Sequence, residues 1–298
     1  MKPVNQDDSI NQNGAQPTMA IKNINLIEAN KTKFTELQKI CMNHICNRLD
    51  MEEIGELDKL NRSEIDTRIG DLRSNDKLNI DIDNIIRYFL KEVEINCDFI
   101  QFPLNLRILM PGKDEQYLNK EYNVDSIHCD HWSGSPEDSS NCYLYLRKPS
   151  NSPELIHFEI PGDAEEIIKN YRGPYQTAPR VPYRMIKNRS YEGLLQVFDC
   201  NTPHMVKRTG DKATVSLDFR LRDRTRVFEE DLIEKNESAW ANSKMTSLCV
   251  YWKNDIKEVK TIEEKIKREL ELTSELGEKY KDLRVEYCKR FYSYSESP

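Results

Sequence analysis

The chain has 298 residues, of which 38% are apolar and 32% charged, and it carries a formal net charge of −7. The negative balance argues against a general nucleic-acid-binding protein, since phosphate binding needs a concentrated positive surface. No apolar run reaches the roughly 18 residues of a membrane span, and the N-terminus lacks the apolar core of a secretory signal. We therefore expect a cytoplasmic protein. Its eight cysteines include no Cys-x-x-Cys pair, so neither a zinc knuckle nor a dithiol redox motif is predicted, and without an export signal we expect free thiols.

The first third of the chain predicts a polar tail followed by helices. Residues 1–22 are rich in Asn, Gln and Asp and predict a disordered tail, because they hold too few large apolar groups to offset the entropy of ordering. Residues 23–98 predict a helical region, since apolar residues recur there at spacings of three and four. The predicted helices carry Phe34, Leu37, Cys41 and Ile45; Met51, Ile54, Leu57 and Leu60; and Ile82, Ile85, Ile86, Phe89, Leu90 and Val93, the last beginning among Asp81 and Asp83.

The middle of the chain, residues 99–230, predicts a β-rich core. Short β-prone runs are separated there by clusters of Gly, Pro, Asn and Ser, and one short helix is predicted at 164–171. Little helix lies between most of the strands, so an antiparallel barrel or jelly roll is favoured over a parallel sheet. The predicted strands are 99–102, 105–110, 124–129, 141–147, 154–160, 181–186, 194–199 and 213–222.

Residues 231–298 predict a helical C-terminal extension. Thr261 and Glu264 have the spacing of a capping box, and an apolar stripe at helical period follows from Leu272 to Phe291. This helix would pack on the barrel or on a second copy of the chain, which makes a homodimer possible. The whole chain is accordingly predicted to be an α+β protein.

Three side chains in the β-rich region form a candidate metal site. His128 and Asp130 point to the same side of an extended segment, and His204 follows the turn-forming Asn201–Pro203. Two imidazoles and one carboxylate leave the other side of a metal open, which suits Fe(II) oxygen chemistry. A His-x-Asp sequence also occurs by chance. His131 is the competing ligand, and Asp199 and Cys200 lie near enough to His204 to be considered.

The order His-x-Asp, several strands, His204, and then the strand Val215-Ser216-Leu217-Asp218-Phe219-Arg220 resembles the Fe(II)/2-oxoglutarate-dependent oxygenases, in particular their small-molecule hydroxylase branch. The resemblance covers about residues 99–226. It implies a double-stranded β-helix core of the jelly-roll or cupin type, flanked by N-terminal and C-terminal helices. It also implies His128, Asp130 and His204 as iron ligands, with 2-oxoglutarate and O2 as cosubstrates.

The resemblance implies a cation on the last strand for the far carboxylate of 2-oxoglutarate. Arg220 is the first choice, because its planar fork can bind a carboxylate through two hydrogen bonds. Many members instead have an arginine where this chain has Thr214, followed by a hydroxyl residue where it has Ser216. Lys212 is therefore the alternative cation, with Thr214 and Ser216 beside it on the strand.

Further candidates come from strands and loops near the metal segments. Asn141, Tyr143 and Tyr145 alternate on one strand, and we expect Asn141 and Tyr143 to hydrogen-bond the cosubstrate. Tyr145, together with Trp132 in the loop after Asp130 and Arg184 in an Arg- and Tyr-rich segment, is predicted to contact substrate. Strand aromatics are also common core residues, and Pro-rich loops are often only connections.

The leading hypothesis is an oxygenase that hydroxylates or desaturates a small molecule while 2-oxoglutarate is decarboxylated to succinate. The presence of Asp130 argues against a halogenase, because a halide would need the coordination position of this carboxylate to be vacant. Two alternatives stay open, a cupin-like metalloenzyme that does not use 2-oxoglutarate and a non-catalytic, barrel-based binding protein. Neither nucleic acid nor membrane is expected as a partner.

Overall fold

The computed structural model describes residues 19–20, 24–69, 75–95, 97, 99–112, 123–133, 135, 139–222, 251–254 and 257–272. Most of the predicted disordered tail and most of the C-terminal apolar stripe lie outside these residues. Two residues of the predicted tail form a short strand, β1 (Met19–Ala20). Within the described ranges, no helix is long and apolar enough to cross a membrane.

The predicted N-terminal helices are present. Helix α1 (Lys31–Leu49) begins at Asn30, whose side chain accepts hydrogen bonds from the backbone N–H groups of Thr32 and Lys33. The predicted apolar face is the buried one, with Leu37, Cys41, Ile45 and Leu49 all inside. The second predicted helix is a short 3-10 helix (Ile54–Lys59), and α2 (Arg62–Ile69) follows it.

Helix α3 (Asp76–Glu92) begins earlier than predicted. Its cap is Asn75, whose side chain accepts from the backbone N–H of Leu78, so Asp81 and Asp83 lie inside the helix and not at its positive end. Asp83 is buried, and its Oδ2 accepts from Arg87 Nε at 2.8 Å and from Lys265 Nζ at 2.7 Å. This aspartate therefore has a packing role that spacing alone could not indicate.

The larger sheet is antiparallel and has β10 at its centre. Its strand order is β11-β3-β10-β5-β8-β2, and β4 also pairs with β10. Because side chains alternate along a strand, Leu217 and Phe219 pack toward the N-terminal helices while Asp218 and Arg220 point to the opposite face. The bounds are β2 (Asn25–Glu28), β3 (Phe99–Gln101), β4 (Asn105–Leu109), β5 (Ser140–Arg147), β8 (Leu194–Asp199), β10 (Thr214–Arg222) and β11 (Tyr251–Lys253).

The smaller sheet is also antiparallel, and β6 joins all its strands. Its members are β1, β6 (Glu154–Pro161), β7 (Arg184–Ile186) and β9 (His204–Lys207). The short helix α4 (Glu165–Asn170) follows β6 as predicted. The predicted strand 124–129 is wrong, because this segment turns at Val124–Ser126. It pairs with β9 through a bridge between His128 and His204 and a hydrogen bond from the Val206 N–H to Val124 O. Strands β2, β9 and β11 were not predicted.

The C-terminal helix α5 (Ile262–Leu272) packs on α3. The predicted cap forms with a shift of one residue, since Thr261 Oγ1 accepts from the Glu264 N–H at 3.2 Å and the Glu264 carboxylate accepts from the Lys260 N–H at 2.8 Å. Lys265 reaches from α5 to Asp83 and lies 4.5 Å above the Phe102 ring. The described part of the chain is thus α+β, with two antiparallel sheets flanked by helices.

Candidate metal site

A short backbone pairing brings the two candidate metal-binding segments together. His128 N–H donates to His204 O at 2.9 Å, and His204 N–H donates to His128 O at 2.8 Å. The Asp130 N–H donates to Cys200 O at 3.1 Å, just where a 3-10 turn (Asp130–Ser133) begins. Residues far apart in sequence are therefore held side by side by hydrogen bonds of the main chain.

The side chains of His128, Asp130 and His204 converge on one point. Their candidate ligand atoms all lie within 4.8 Å of one another. Asp130 Oδ1 is 3.6 Å from His128 Nε2 and 3.5 Å from His204 Nε2. A cation placed among the three atoms would be in reach of all of them, with two nitrogen ligands and one oxygen ligand.

Backbone carbonyls set the orientation of both imidazoles. His128 Nδ1 is 2.8 Å from Ser126 O, and His204 Nδ1 is 2.9 Å from Thr202 O. Because a carbonyl only accepts, Nδ1 must carry the proton, and in a neutral ring Nε2 then presents its lone pair. This outer hydrogen bond is the usual support of a metal-binding histidine.

The protonation states at the site also favour a bound cation. Burial, reinforced by the neighbouring His204, lowers the pKa of His128 to about 3. Burial opposes ionisation of Asp130, but the charge of Arg220 and the contacts with His204 outweigh it and hold the pKa of Asp130 well below its usual value. A neutral imidazole lone pair and a carboxylate oxygen repel each other unless a positive charge lies between them, so these residues fit a divalent metal ion.

Two aromatic residues support the histidine rings. The Tyr175 ring stacks on His128, with ring centroids 4.1 Å apart, and its hydroxyl hydrogen-bonds to Ser133 Oγ at 2.7 Å. The Phe198 ring meets His204 edge-on at 5.1 Å. The two imidazoles therefore have little freedom to rotate away from Asp130.

The second oxygen of Asp130 is held by Arg220. Arg220 Nη2 donates to Asp130 Oδ2 at 2.6 Å, and its Nη1 donates to Gln101 Oε1 at 3.3 Å. With Oδ2 engaged, only Oδ1 faces the histidines. The predicted role of Arg220 as anchor of a distant carboxylate is not supported by this position, because its guanidinium is buried and bonded beside the metal site.

A cavity of about 320 Å³ opens between the two sheets at the triad. This volume is at the lower end for small-molecule sites. Asn141 and Tyr143, which were predicted to bind the cosubstrate, line it, and both amide atoms of Asn141 are buried without a hydrogen-bond partner. The lining residues include Arg107, Val124, His128, Asp130, Ser133, Asn141, Tyr143, Leu155, Tyr175, Phe198, His204, Val206, Asp218 and Arg220.

Three positions predicted for cosubstrate binding lie outside the lining of this cavity. Lys212 is exposed, in the loop before β10. Thr214 is buried, and its hydroxyl donates to Pro153 O at 2.8 Å. Ser216 is buried between Arg107 and Tyr145 in the register of the sheet. Of the residues on β10, the cavity lining includes Asp218, Phe219 and Arg220, so the roles of Lys212, Thr214 and Ser216 stay predictions that the lining does not support.

The three residues predicted to contact substrate also lie away from the cavity lining. Trp132 Nε1 donates to Ile168 O at 3.0 Å inside a separate apolar cluster. The Tyr145 hydroxyl accepts from the Leu155 N–H at 2.9 Å. The side chain of Arg184 is 74% exposed and pairs with Glu159. Their polar atoms bond locally, so the predicted contacts with substrate stay predictions that the cavity lining does not support.

The rival metal ligands point elsewhere. His131 Nε2 lies 3.0 Å from Ile168 O, with the ring buried away from Asp130. Asp199 is exposed and accepts from the Asn201 N–H at 2.7 Å within the turn before β9. Burial raises the pKa of the Cys200 thiol to about 12, so this cysteine is not a ready thiolate ligand.

Sequence reasoning did not identify several residues that line the cavity. Arg107, Tyr175 and Phe198 are the most important of these. Arg107 interrupts the apolar run of a predicted strand, which was the available signal. Tyr175 and Phe198 looked like ordinary loop and strand aromatics, and nothing in their spacing related them to the histidines.

Neither the scan against protein-family models nor the search of curated proteins gives a match. Among solved structures the chain is similar to the apo form of the non-heme monooxygenase ThoJ, with 10% identity, a TM-score of 0.41, and coverage of 66% of this chain and 74% of that one. It is also similar to the non-heme alpha ketoglutarate dependent carbocyclase SnoK from nogalamycin biosynthesis (13% identity, TM-score 0.38, 68% and 80% covered). A third is a Pseudomonas putida prolyl-4-hydroxylase (15% identity, TM-score 0.35, 69% and 90% covered). At these values the similarities do not assign a function to this chain.

Proposed function

We propose that the protein is an Fe(II)- and 2-oxoglutarate-dependent oxygenase that oxidises a small molecule by hydroxylation or desaturation. The observation that carries this proposal is the convergence of His128 Nε2, His204 Nε2 and Asp130 Oδ1 at the wall of an internal cavity. Such a set occupies one face of a metal and leaves the other open, the arrangement used by non-heme Fe(II) oxygenases.

The fold is consistent with the double-stranded β-helix of such enzymes. Two antiparallel sheets face each other, and the bridge between His128 and His204 lies at the edge of the smaller one. The cavity is lined from both sheets, by Asn141 and Arg220 of the larger and by Leu155 and His204 of the smaller.

Iron bound to the triad would couple oxidative decarboxylation of 2-oxoglutarate by O2, which yields succinate and carbon dioxide, to oxidation of a C–H bond of the substrate. The protein's own contribution is positional. The carbonyls of Ser126 and Thr202 and the Tyr175 ring hold the imidazoles, and Arg220 holds the carboxylate. These groups keep the three ligand atoms in place before any ligand arrives.

The cavity lining offers both polar groups and apolar surface. Asn141 and Tyr143, on β5, offer hydrogen-bonding groups to a polar ligand such as 2-oxoglutarate. Leu155 and Val206, on the smaller sheet, and Phe198, which pairs with Asn141 from β8, give the cavity an apolar surface. This surface would exclude water around a substrate C–H bond, which limits side reactions.

Succinate release tests the proposal directly. Protein reconstituted with Fe(II) under anaerobic conditions is given 2-oxoglutarate and then air-saturated buffer, with a panel of small-molecule candidate substrates, and succinate is measured. We expect slow uncoupled release in the wild type, stimulation by the true substrate, and no release by His204→Ala. Metal binding without any 2-oxoglutarate consumption would favour a cupin-like metalloenzyme, and equal metal content in wild type and His204→Ala would favour a non-catalytic protein.

A further inference from the structure

The cavity has two guanidinium groups, and they differ in what they can still bind. Arg220 is 9% exposed and engages Asp130 and Gln101. The side chain of Arg107, on β4, is 36% exposed, and one of its nitrogens pairs with Asp218. Since a guanidinium has five N–H donors, most of those of Arg107 remain for a ligand. Arg107 is therefore the cation with accessible donors among the described lining residues.

Neighbouring strands fix Arg107 in this position. It pairs in register with Ser216 on β10, and Asp218 lies two residues further along the same strand. Arg107 Nη2 to Asp218 Oδ2 is 2.7 Å, so the acid holds one edge of the guanidinium. A guanidinium that is already oriented loses less entropy when it binds a planar carboxylate.

The charges of the lining residues favour an anionic ligand. Arg107 and Arg220 balance Asp130 and Asp218. A divalent cation at the triad would leave an excess of two positive charges among these groups. The dianion 2-oxoglutarate would balance this excess, whereas a neutral ligand would leave it uncompensated.

We propose that Arg107, oriented by Asp218, binds the far carboxylate of 2-oxoglutarate, in place of Arg220 or Lys212. This inference rests on the proposed function. The carboxylate would accept hydrogen bonds from the open edge of Arg107, and the keto-acid end would lie toward the triad. Asn141, whose buried amide has no partner, lies on β5 beside Arg220 and could hydrogen-bond the same ligand.

The test compares 2-oxoglutarate with 2-oxopentanoate, which has the same chain length but a methyl group in place of the far carboxylate. Binding to metal-loaded protein is measured by titration calorimetry under anaerobic conditions, so that no turnover is needed. We expect the wild type to prefer 2-oxoglutarate by about 10- to 100-fold, the value of one charge-assisted contact. Arg107→Gln should lose this preference while binding 2-oxopentanoate as before, and Arg107→Lys should retain part of it.

Arg184→Gln serves as the reference variant, and the folding of Arg107→Gln is checked separately. Arg184→Gln, at an exposed site on the outer face, should keep the full preference. Metal affinity and circular dichroism of Arg107→Gln should match the wild type, because Arg107 does not touch the triad; if this variant does not fold, Arg107→Lys carries the comparison. An undiminished preference in Arg107→Gln, or its loss in Arg220→Gln alone, overturns the assignment of Arg107. Failure of both keto acids to bind metal-loaded wild type instead overturns the proposed function itself.

Discussion

Two aspartates in this protein, the buried Asp83 and the partly buried Asp130, lie next to arginines, yet their surroundings differ in one respect. Asp83, between α3 and α5, accepts from both Arg87 and Lys265 through its Oδ2. Asp130, at the cavity, has Arg220 on Oδ2, while its Oδ1 faces the Nε2 atoms of two histidines. The first carboxylate is compensated by cations of the protein, and the second has one oxygen directed at two further acceptors.

The difference shows how a structural ion cluster can be distinguished from a ligand-binding one. Burial of a charge is costly unless partners compensate it, and at Asp83 those partners are permanent side chains that tie α5 to α3. At Asp130, Oδ1 faces two histidine nitrogens, and a metal ion bound among these three atoms would supply further compensation. Substitutions at the two clusters should therefore affect different properties, metal binding in one case and folding stability in the other.

The largest effect is expected from removing a ligand of the metal. His204→Ala should reduce the metal content of purified, reconstituted protein to background, because only two ligand atoms remain. His157→Gln is a matched control, since His157 is also buried and its ring lies 6.3 Å from His204, but it is not one of the three converging residues. Elemental analysis of both folded variants decides the matter. Loss of metal in both, or in neither, would contradict the assignment.

A substitution in the Asp83 cluster should lower folding stability and leave metal affinity unchanged. Asp83→Ala leaves Arg87 and Lys265 without their buried anion, and we expect the free energy of unfolding to fall by about 3–5 kcal/mol. Urea denaturation followed by circular dichroism measures this change. Metal affinity of the folded fraction should stay at the wild-type value. A weakened metal site in this variant would mean that the two clusters are coupled.

Arg220→Gln tests whether the orientation of the Asp130 carboxylate, and not only its presence, matters for metal affinity. Asp130 stays, but its Oδ2 loses the guanidinium that fixes the carboxylate, so metal affinity should fall by about 10- to 100-fold, as is common for outer partners of metal ligands. Competition titrations with a metal chelator give the affinity. Arg107→Gln is the comparison, since it removes a cavity arginine that does not contact Asp130, and it should leave metal affinity unchanged. Equal losses in the two variants would indicate a general electrostatic effect.

Sequence patterns predicted elements well where burial sets the pattern. The face of α1 with Leu37, Cys41 and Ile45 is buried as expected, because a helical stripe has one side on which to pack. Strand β10 was also predicted nearly to its ends. The segment 124–129 looked like a strand as well, but a turn at Asn123–Ser126 interrupts it between its two points of pairing with β9, at Val124 and at His128. Strand β9 has four residues after a proline, too few for a periodic signal.

The site was predictable in its ligands and less so in its surroundings. The residue types of His128, Asp130 and His204 already restrict the chemistry, and the structure brings them together. Alternation gives the face of a strand, but it does not indicate that the Tyr145 hydroxyl and the Trp132 indole bond to nearby main-chain groups. The pairing of Arg220 with Asp130 joins residues from separate segments, and no spacing in the sequence reports it.

The smallest predicted effect concerns the acid stability of the Asp83 cluster. Burial raises the pKa of Asp83, but the charges of Arg87 and Lys265 outweigh it, so the folded-state pKa lies below its usual value. A depressed carboxyl pKa contributes stability above the unfolded value of about 3.9, and this contribution is lost as the pH falls through the folded pKa. Below about pH 4 the free energy of unfolding of the wild type should therefore fall with pH.

Asp83→Asn tests this account, because it keeps the shape of the side chain and cannot titrate. Its free energy of unfolding should be lower than that of the wild type at neutral pH, and the difference should narrow as the pH falls below about 4, since the wild-type carboxyl becomes neutral there too. Urea titrations at a series of pH values, on metal-free protein so that Asp130 is in the same state in both variants, measure the difference. Parallel curves would show that the ion cluster between α3 and α5 does not control the acid sensitivity of the fold.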